Sequence, residues 1–399
     1  MKSPVTLDEA LALIQEGRRI VGTESVRTGS ALGRVLARGL RAPSSLPPFD
    51  QSTVDGYAML PGTASPAPVS ARIFAGEEGP LTVRAGEAVY VATGGRVPEG
   101  CGVLMQEDVT DSEGTISFAK DPPLGDNVRS AGEEIRQGDV LAAAGERVTA
   151  GLMALVLALA IDELEVRLPP HLLVISTGTE LREEGPVSGP AIRNTNGPYL
   201  DAELRAAGAD VHRLTVPDDV EAFRSGVARR LDGVDLVVTT GGISVGPKDH
   251  VADVAGGFGF TPLFRGVALR PGRPLSAFRH PDGVVWLALP GNPLATALGY
   301  DLFVRPALAN LVGQTFTHPW LRLPLGGAIR AHRSSIDRYW PCGLSLADGR
   351  LVLEPAPYAP SGAVRPFAAL RAWARLPGGA GPFDQGDEVE ALLRMDGLA

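Results

Sequence analysis

Apolar positions recur at helical spacing through TLDEALALIQE, and Thr6 with Glu9 three residues later matches a capping box, so the chain is expected to open on a helix. Residues 1 to 40 are read as two helices, followed by the Pro-rich connection RAPSSLPPFD. From about 50 to 145 the pattern shortens to runs such as EAVYVAT and GVLMQEDV, punctuated by Gly and Pro as in a small β-rich domain. A helix near 149 to 160 follows. Between 168 and 312 the apolar runs LLVIST (172 to 177), DVHRLTV (210 to 216), DLVVTT (235 to 240) and VVWLAL (284 to 289) alternate with PYLDAELRAAG, VEAFRSGVARRL and a helix opening at Pro293. That alternation predicts a three-layer α/β/α unit on a mostly parallel sheet. After about 316 the runs RLVLEPA, LRAWARL and DEVEALL predict a small, barrel-like C-terminal β domain. The expected fold is thus multidomain α/β. Its parts are 1 to 167, which holds the inserted β-rich region, then 168 to 315, then 316 to 399.

Composition narrows the function classes. The longest apolar run, LMALVLALAI at 152 to 161, is too short to cross a bilayer, and Asp8, Glu9 and Glu16 stand where a signal peptide would be apolar. A cytoplasmic protein without membrane contact is expected. A formal charge of −9 argues against a nucleic-acid partner, which needs a basic face. The two cysteines, Cys101 and Cys342, form no CxxC pair and are expected to be inert.

Chemistry concentrates in the loops after the predicted strands. In an open α/β sheet the ligand sits beyond the carboxyl ends of the strands, where helix N-termini offer free N–H groups. LLVIST is followed by GTELREEG with Glu180, and DVHRLTV by PDD with Asp218 and Asp219, which the sequence does not separate. DLVV leads into TTGGISVGPKDH with Asp249, and VVWLAL into PGNP with Pro290 and Pro293. Carboxylates converging there would repel by roughly 4 kcal/mol per pair at about 4 Å and an effective dielectric near 20. A divalent cation such as Mg2+ is the natural counter-charge. In TTGGISVG, Gly241, Gly242 and Gly246 let backbone N–H groups approach an anion, while Thr239, Thr240 and Ser244 add hydroxyls. Taken alone, the same loop is read more readily as a simple turn, and it is the coincidence with the other loops that favours an anion site.

Other patterns compete. The Walker A spacing fails because Pro247 displaces Lys248. GISVG matches the nucleophile elbow G-x-S-x-G, so a serine hydrolase using Ser244, with Asp282 and His332 in the required order, is an alternative. Arg270 and Arg273 flank a Pro-Gly turn in LRPGRP and suit an oxoanion, or solvent.

The ordered set PPFDQSTVDGYAML, ATGGRVPEG, MQEDV, STGTEL, IRNTN, TTGGISVGPKDH, LRPGRP and LPGNP resembles the molybdopterin molybdenumtransferase family, which includes the C-terminal region of gephyrin. The resemblance runs from about residue 5 to 399. It implies a homodimer whose cleft lies between the molybdopterin-binding α/β domain of one subunit and parts of the other, with transient contacts to other cofactor-biosynthesis proteins. It implies Mg2+, with adenylylated molybdopterin and molybdate as substrates and AMP as a product. Functional positions fall by motif on Asp55, Thr93, Glu180, Asp218, Asp249, Pro290 and Pro293, with Glu180 and Asp249 as metal ligands. Thr239, Gly241, Gly242, Ser244, Gly246, Arg270, Arg273 and Ser361 fall on the ligand-binding surface, and Arg338 is a further C-terminal candidate. The chain departs from the pattern at Arg270 and Arg273, where lysines are common, at His250, where an aromatic is common, and at Asn194, where an acid is usual. A non-catalytic scaffold on the same fold is the second alternative, although a scaffold has no need of Glu180, Asp249 and Asp55 together.

Overall fold

The computed structural model describes residues 4–17, 19–242, 250–330, 334–357 and 360–394. They form two compact units: 25–32 with 38–165, and the rest of the described residues.

The larger unit is built on a six-stranded sheet in the order Asp210–Val216, His171–Thr177, Leu236–Thr240, Val285–Leu289, Ser276–Arg279, Thr261–Arg265. The first four strands are parallel, Ser276–Arg279 runs antiparallel to them, and Thr261–Arg265 is antiparallel to Ser276–Arg279 and so returns to the first direction. Side chains alternate between faces of a strand, so a strand buried on both faces is apolar throughout. Leu172 and Val174 accordingly pack with Leu236 and Val238 under Leu200, Leu204, Leu294 and Leu298. Leu173 and Ile175 join Val237 and Trp286 on the other face, under Phe223, Val227, Val251 and Val254. The two faces are thus covered by helices Asn196–Ala206 and Pro293–Gly299 on one side, and by Val220–Ala228 and His250–Gly257 on the other. Register matches Thr177 with Val216, Ser176 with Thr240, and Thr240 with Leu289, so these strand ends share one edge.

The opening helix spans Leu7–Gln15, and its capping box is formed: Glu9 N donates to Thr6 Oγ1 at 3.2 Å and Thr6 N to Glu9 Oε2 at 2.8 Å. The second helix expected before residue 40 does not form. Thr23–Arg27 is extended and Thr28–Ser30 is a single 3-10 turn. Gly33 there has φ +77°, a left-handed conformation that stops a helix.

The C-terminal strands Arg350–Pro355, Ala372–Leu376 and Glu388–Leu393 lie where the pattern placed them. Two more, Trp320–Pro324 and Asp337–Ala347, are unmarked by alternation, the second because Pro341 and Gly343 interrupt it. Asp337–Ala347 also pairs in parallel with Leu269–Arg270 from the α/β part, so Arg270 sits opposite Arg338.

The smaller unit carries a six-stranded sheet ordered Gly102–Met105, Gly56–Met59, Ala88–Val91, Ala67–Ile73, Thr115–Phe118, Val109–Ser112. Ala58, Ile73, Val89, Val91 and Val103 fill one of its cores. Both cysteines are buried, and burial pushes the thiols up to about 11 for Cys101 and about 12 for Cys342, which keeps them protonated and unreactive at neutral pH. No helix among the described residues is long and apolar enough to cross a membrane.

Candidate active site

A cleft of about 760 Å³ opens at the carboxyl edge of the parallel strands. Glu180, Asp218, Gly241, Gly242, Pro290 and Pro293 all line it, although their loops are far apart in sequence. The loops after the first two strands are tied together. Gly178 N donates to Val216 O at 3.0 Å, and Asp218 N donates to Thr179 Oγ1 at 3.1 Å. This tie separates two aspartates that the sequence left equivalent. Asp219 Oδ1 accepts from Ala222 N at 2.7 Å and caps the 220–228 helix, whereas Asp218 faces the cleft. Among the described residues, Glu180 and Asp218 make no ion pair with any Arg, Lys or His. Two exposed carboxylates on one rim, neither paired with a described protein cation, suit an added one. No three described His, Cys, Asp or Glu residues form a metal-holding group by themselves. Asp249, Ser244 and Gly246 lie outside the described residues.

Close backbone packing shapes the floor. Gly241 has φ +90°, and a methyl group built on it would lie 2.6 Å from Thr177 O. Gly242 has φ +66°, and its methyl would meet Thr177 Oγ1 at 2.8 Å. The Thr177 hydroxyl is itself buried beside the cleft, with no hydrogen-bond partner among the described residues. Asn196 joins two of the loops, donating from Nδ2 to Thr240 Oγ1 at 2.9 Å and to Gly291 O at 2.7 Å. Thr239 does not belong to this surface. It points into the opposite core, where its Oγ1 accepts from Trp286 Nε1 at 3.2 Å, so the neighbouring Thr240 is the cleft residue.

The acid missing at Asn194 has a local substitute. Buried Asn194 donates from Nδ2 to Glu183 Oε1 at 2.6 Å, and its Oδ1 accepts from Gly197 N at 3.1 Å. Burial alone would raise the Glu183 carboxyl, but hydrogen bonds from Thr215 and Asn194 and the charges of Arg213 and Arg193 outweigh it and hold the group below its usual range. A negative charge therefore stands directly behind Asn194.

Arg270 and Arg273 are exposed and do not line the cleft, although the adjacent Pro274 does. Arg338 is held down first by burial and then by the charge of Arg270, which places two cations side by side. Ser361 sits just behind the lining. Asn292 Nδ2 donates to its Oγ at 2.9 Å and Leu294 N to its carbonyl at 3.0 Å, while Gly362 and Val364 reach the cleft.

Family models match the chain in three parts. The MoeA N-terminal region (domain I and II) covers residues 5–160, a probable molybdopterin binding domain covers 173–310, and the MoeA C-terminal region (domain IV) covers 329–393. The molybdopterin molybdenumtransferase of Synechococcus elongatus is 35% identical over 379 residues, which cover 90% of this chain and 91% of that protein. The chain belongs to the molybdopterin molybdenumtransferase family. The Staphylococcus epidermidis member is 30% identical over 403 residues, covering 98% of this chain and 96% of its own. A crystal structure of the molybdopterin biosynthesis MoeA protein of Pyrococcus horikoshii matches with a TM-score of 0.85 at 29% identity over 98% of both chains.

Two further family motif residues, Asp55 and Thr93, lie in the smaller unit and meet there. Thr93 donates to Asp55 Oδ1 from N at 2.6 Å and from Oγ1 at 2.9 Å. These bonds, the backbone one first, hold the exposed carboxyl below its ordinary value of 3.8. A depressed carboxylate stabilises the fold above its unfolded value, and that contribution fades as pH falls through the folded one. Thr93→Ala is expected to move the Asp55 titration upward towards 3.8, as read by carboxyl NMR. An unmoved titration would show that the backbone bond alone sets it. The hydrolase alternative finds Asp282 already engaged: His280 Nδ1 lies 2.5 Å from Asp282 Oδ1, and Val284 N donates to the same oxygen at 3.3 Å. Its other members, Ser244 and His332, lie outside the described residues.

Among the cleft residues absent from the sequence reading are Thr177, Arg193, Asn196 and Asn292. IRNTN and PGNP contain three of them, and their polar side chains after strand ends were the available signal.

Proposed function

We propose that this protein is a molybdopterin molybdenumtransferase, which inserts molybdate into adenylylated molybdopterin and releases AMP. The observation that carries the reading is the convergence of Glu180, Asp218, Gly241, Gly242, Pro290 and Pro293 on one cleft. In the same reading the protein works in the cytoplasm as a homodimer, and exchanges substrate and product with other cofactor-biosynthesis proteins.

Mg2+ fits the rim, because the carboxylates of Glu180 and Asp218 have no cation paired with them among the described residues and the family pattern adds Asp249. Glu180 and Asp249 would hold it, and when bound it would neutralise charge on the pyrophosphate. Gly241 and Gly242 allow backbone N–H groups to approach the ligand's phosphates without side-chain obstruction. Asn196 keeps that floor rigid by holding Thr240 and Gly291, so its donors need no reorganisation during reaction. Arg270, Arg273 and Arg338 would draw the molybdate dianion. The adjacent Arg270 and Arg338 would add their charges in attracting an oxoanion. Ser361 would support this side through Asn292. Asp55 and Thr93 complete the proposed catalytic set, with the Asp55 carboxylate kept ionised by Thr93.

The deciding experiment mixes purified protein with adenylylated molybdopterin, molybdate and Mg2+, and follows AMP and metal incorporation together. AMP release dependent on both molybdate and Mg2+ is expected. Tight pterin binding without AMP would indicate a scaffold. Absence of binding, with labelling of Ser244 by a serine-reactive phosphonate, would indicate the hydrolase.

A further inference from the structure

Away from the cleft, the larger unit buries a charged cluster that the proposed chemistry does not use. Arg394, just after the last strand, has a side chain only 6% exposed, and Asp301 is only 1% exposed. Arg394 Nε lies 3.0 Å from Asp301 Oδ2, and its Nη2 pairs with Glu203 Oε1 and donates to Tyr199 OH at 2.9 Å. Trp373 Nε1 donates to Asp301 Oδ2 at 2.8 Å. Asp301 stands in a π turn, Tyr300–Val304, inserted between helices Pro293–Gly299 and Arg305–Leu311. Such turns interrupt helix register and often accompany a functional constraint.

Removing ions from water is costly, and well-packed apolar residues would commonly do as well or better for stability. The cluster therefore calls for a role beyond stability, and its connections supply one. Tyr199 and Glu203 belong to the helix Asn196–Ala206, whose first residue holds Thr240 and Gly291 at the cleft floor. Asp301 continues the helix that starts at the cleft residue Pro293. Arg394 directly follows the last strand of the C-terminal sheet, and its N–H donates to Arg371 O at 2.8 Å. The Tyr199 ring also packs edge-on against Phe367, centroids 5.1 Å apart, in the turn Arg365–Ala369 that follows the cleft residues Gly362 and Val364. One guanidinium thus grips two segments whose ends form walls of the cleft, and the Tyr199 that it holds packs against the turn that follows the third.

We propose that Arg394 is a positioning residue that locks the C-terminal wall of the cleft to the α/β walls through Asp301, Glu203 and Tyr199. It touches no reacting atom. Its effect on turnover rests on the function proposed above, whereas its effect on wall spacing does not. A ligand that contacts all three walls binds tightly only while their spacing is fixed beforehand.

Arg394→Met alone removes the nearest counter-charge of buried Asp301, leaving it the more distant Arg305 at 3.7 Å, and risks unfolding, so the informative variant is Asp301→Asn with Arg394→Met. The amide oxygen introduced by Asp301→Asn would still accept from Trp373, and Glu203 is near enough to the surface to hydrate. Hydrogen exchange of the Leu294 amide, which donates to Ser361 O, and of peptides covering 361–369 is measured in the full chain without ligand. Steady-state kinetics with adenylylated molybdopterin and Mg2+ follow. About tenfold faster exchange is expected at these positions, together with a roughly tenfold higher KM for the pterin and a smaller change in kcat. Arg394→Lys, which keeps the charge but not the fork, should fall between wild type and the double variant. A folded double variant with native exchange and native KM overturns the proposal. If the wild-type protein itself fails to bind the pterin, the proposed function falls, and the exchange measurement still decides whether Arg394 couples the walls.

Discussion

Glu180→Ala is expected to lower molybdate-dependent AMP release by roughly a hundredfold or more, the scale typical of removing a group that stabilises transition-state charge. The carboxylate is exposed on the cleft rim and makes no ion pair among the described residues, so its removal breaks no described bridge. Folding stability should change by less than about 0.5 kcal/mol. The backbone bond from Ile192 N to Glu180 O, which shapes the loop, does not depend on the side chain. Glu180→Gln separates charge from shape. It keeps the size and one acceptor oxygen but cannot balance a divalent cation, so it should be nearly as inactive as alanine, and its apparent affinity for Mg2+ should fall. Titrating AMP release with Mg2+ in both variants checks this. Native turnover in the glutamine variant would remove Glu180 from the metal site and leave the assignment without its main described ligand.

The second large effect is on stability. Gly56→Ala should destabilise the smaller unit by about 3 kcal/mol, the upper part of the range for overpacking, and lower its calorimetric unfolding temperature by roughly 10 °C. Gly56 lies in a central strand, paired with Val91 on one side and Met105 on the other. A methyl group there would overlap the Leu104 carbonyl oxygen and lie 2.9 Å from Val103 Cγ1. Neither neighbour can retreat, because Leu104 belongs to the paired backbone and Val103 to the core. Gly62→Ala is the control. Its φ is +85° but nothing lies within 4 Å, so only backbone strain of about 1 kcal/mol is at stake. Equal losses in the two variants would refute the steric account. Because Gly56 directly follows Asp55, its displacement should also weaken the bonds from Thr93 and reduce activity.

The same glycine shows how far the sequence could be read. DGYA pointed to Asp55 by motif, yet the need for a glycine after it is visible only when the neighbouring strand stands beside it. The strands of the α/β sheet were legible because burial on both faces leaves continuous apolar runs. The strand Asp337–Ala347 was not, because Pro341 and Gly343 break its alternation while its neighbours supply the pairing. The second helix expected before residue 40 does not form, and Gly33 there takes a left-handed conformation beside a single 3-10 turn.

Sequence alone determined the class of the fold and placed Glu180, Asp218, Gly241, Gly242, Pro290 and Pro293 on one edge of the sheet. These follow from local periodicity and from chain order, since every loop after a parallel strand emerges on the same edge. Tertiary structure decided the rest. Thr239 and Thr240 are chemically alike and adjacent, and only the packing of Trp286 shows that one faces the core and the other the cleft. Asp218 and Asp219 differ only in which of them caps the following helix. Arg270 meets Arg338, and Arg394 meets Asp301, Glu203 and Tyr199, across separations of tens to nearly two hundred residues. A one-dimensional pattern records which side chains can be buried or charged. The partner each one receives is set by strand order and register, which exist only once the chain has folded.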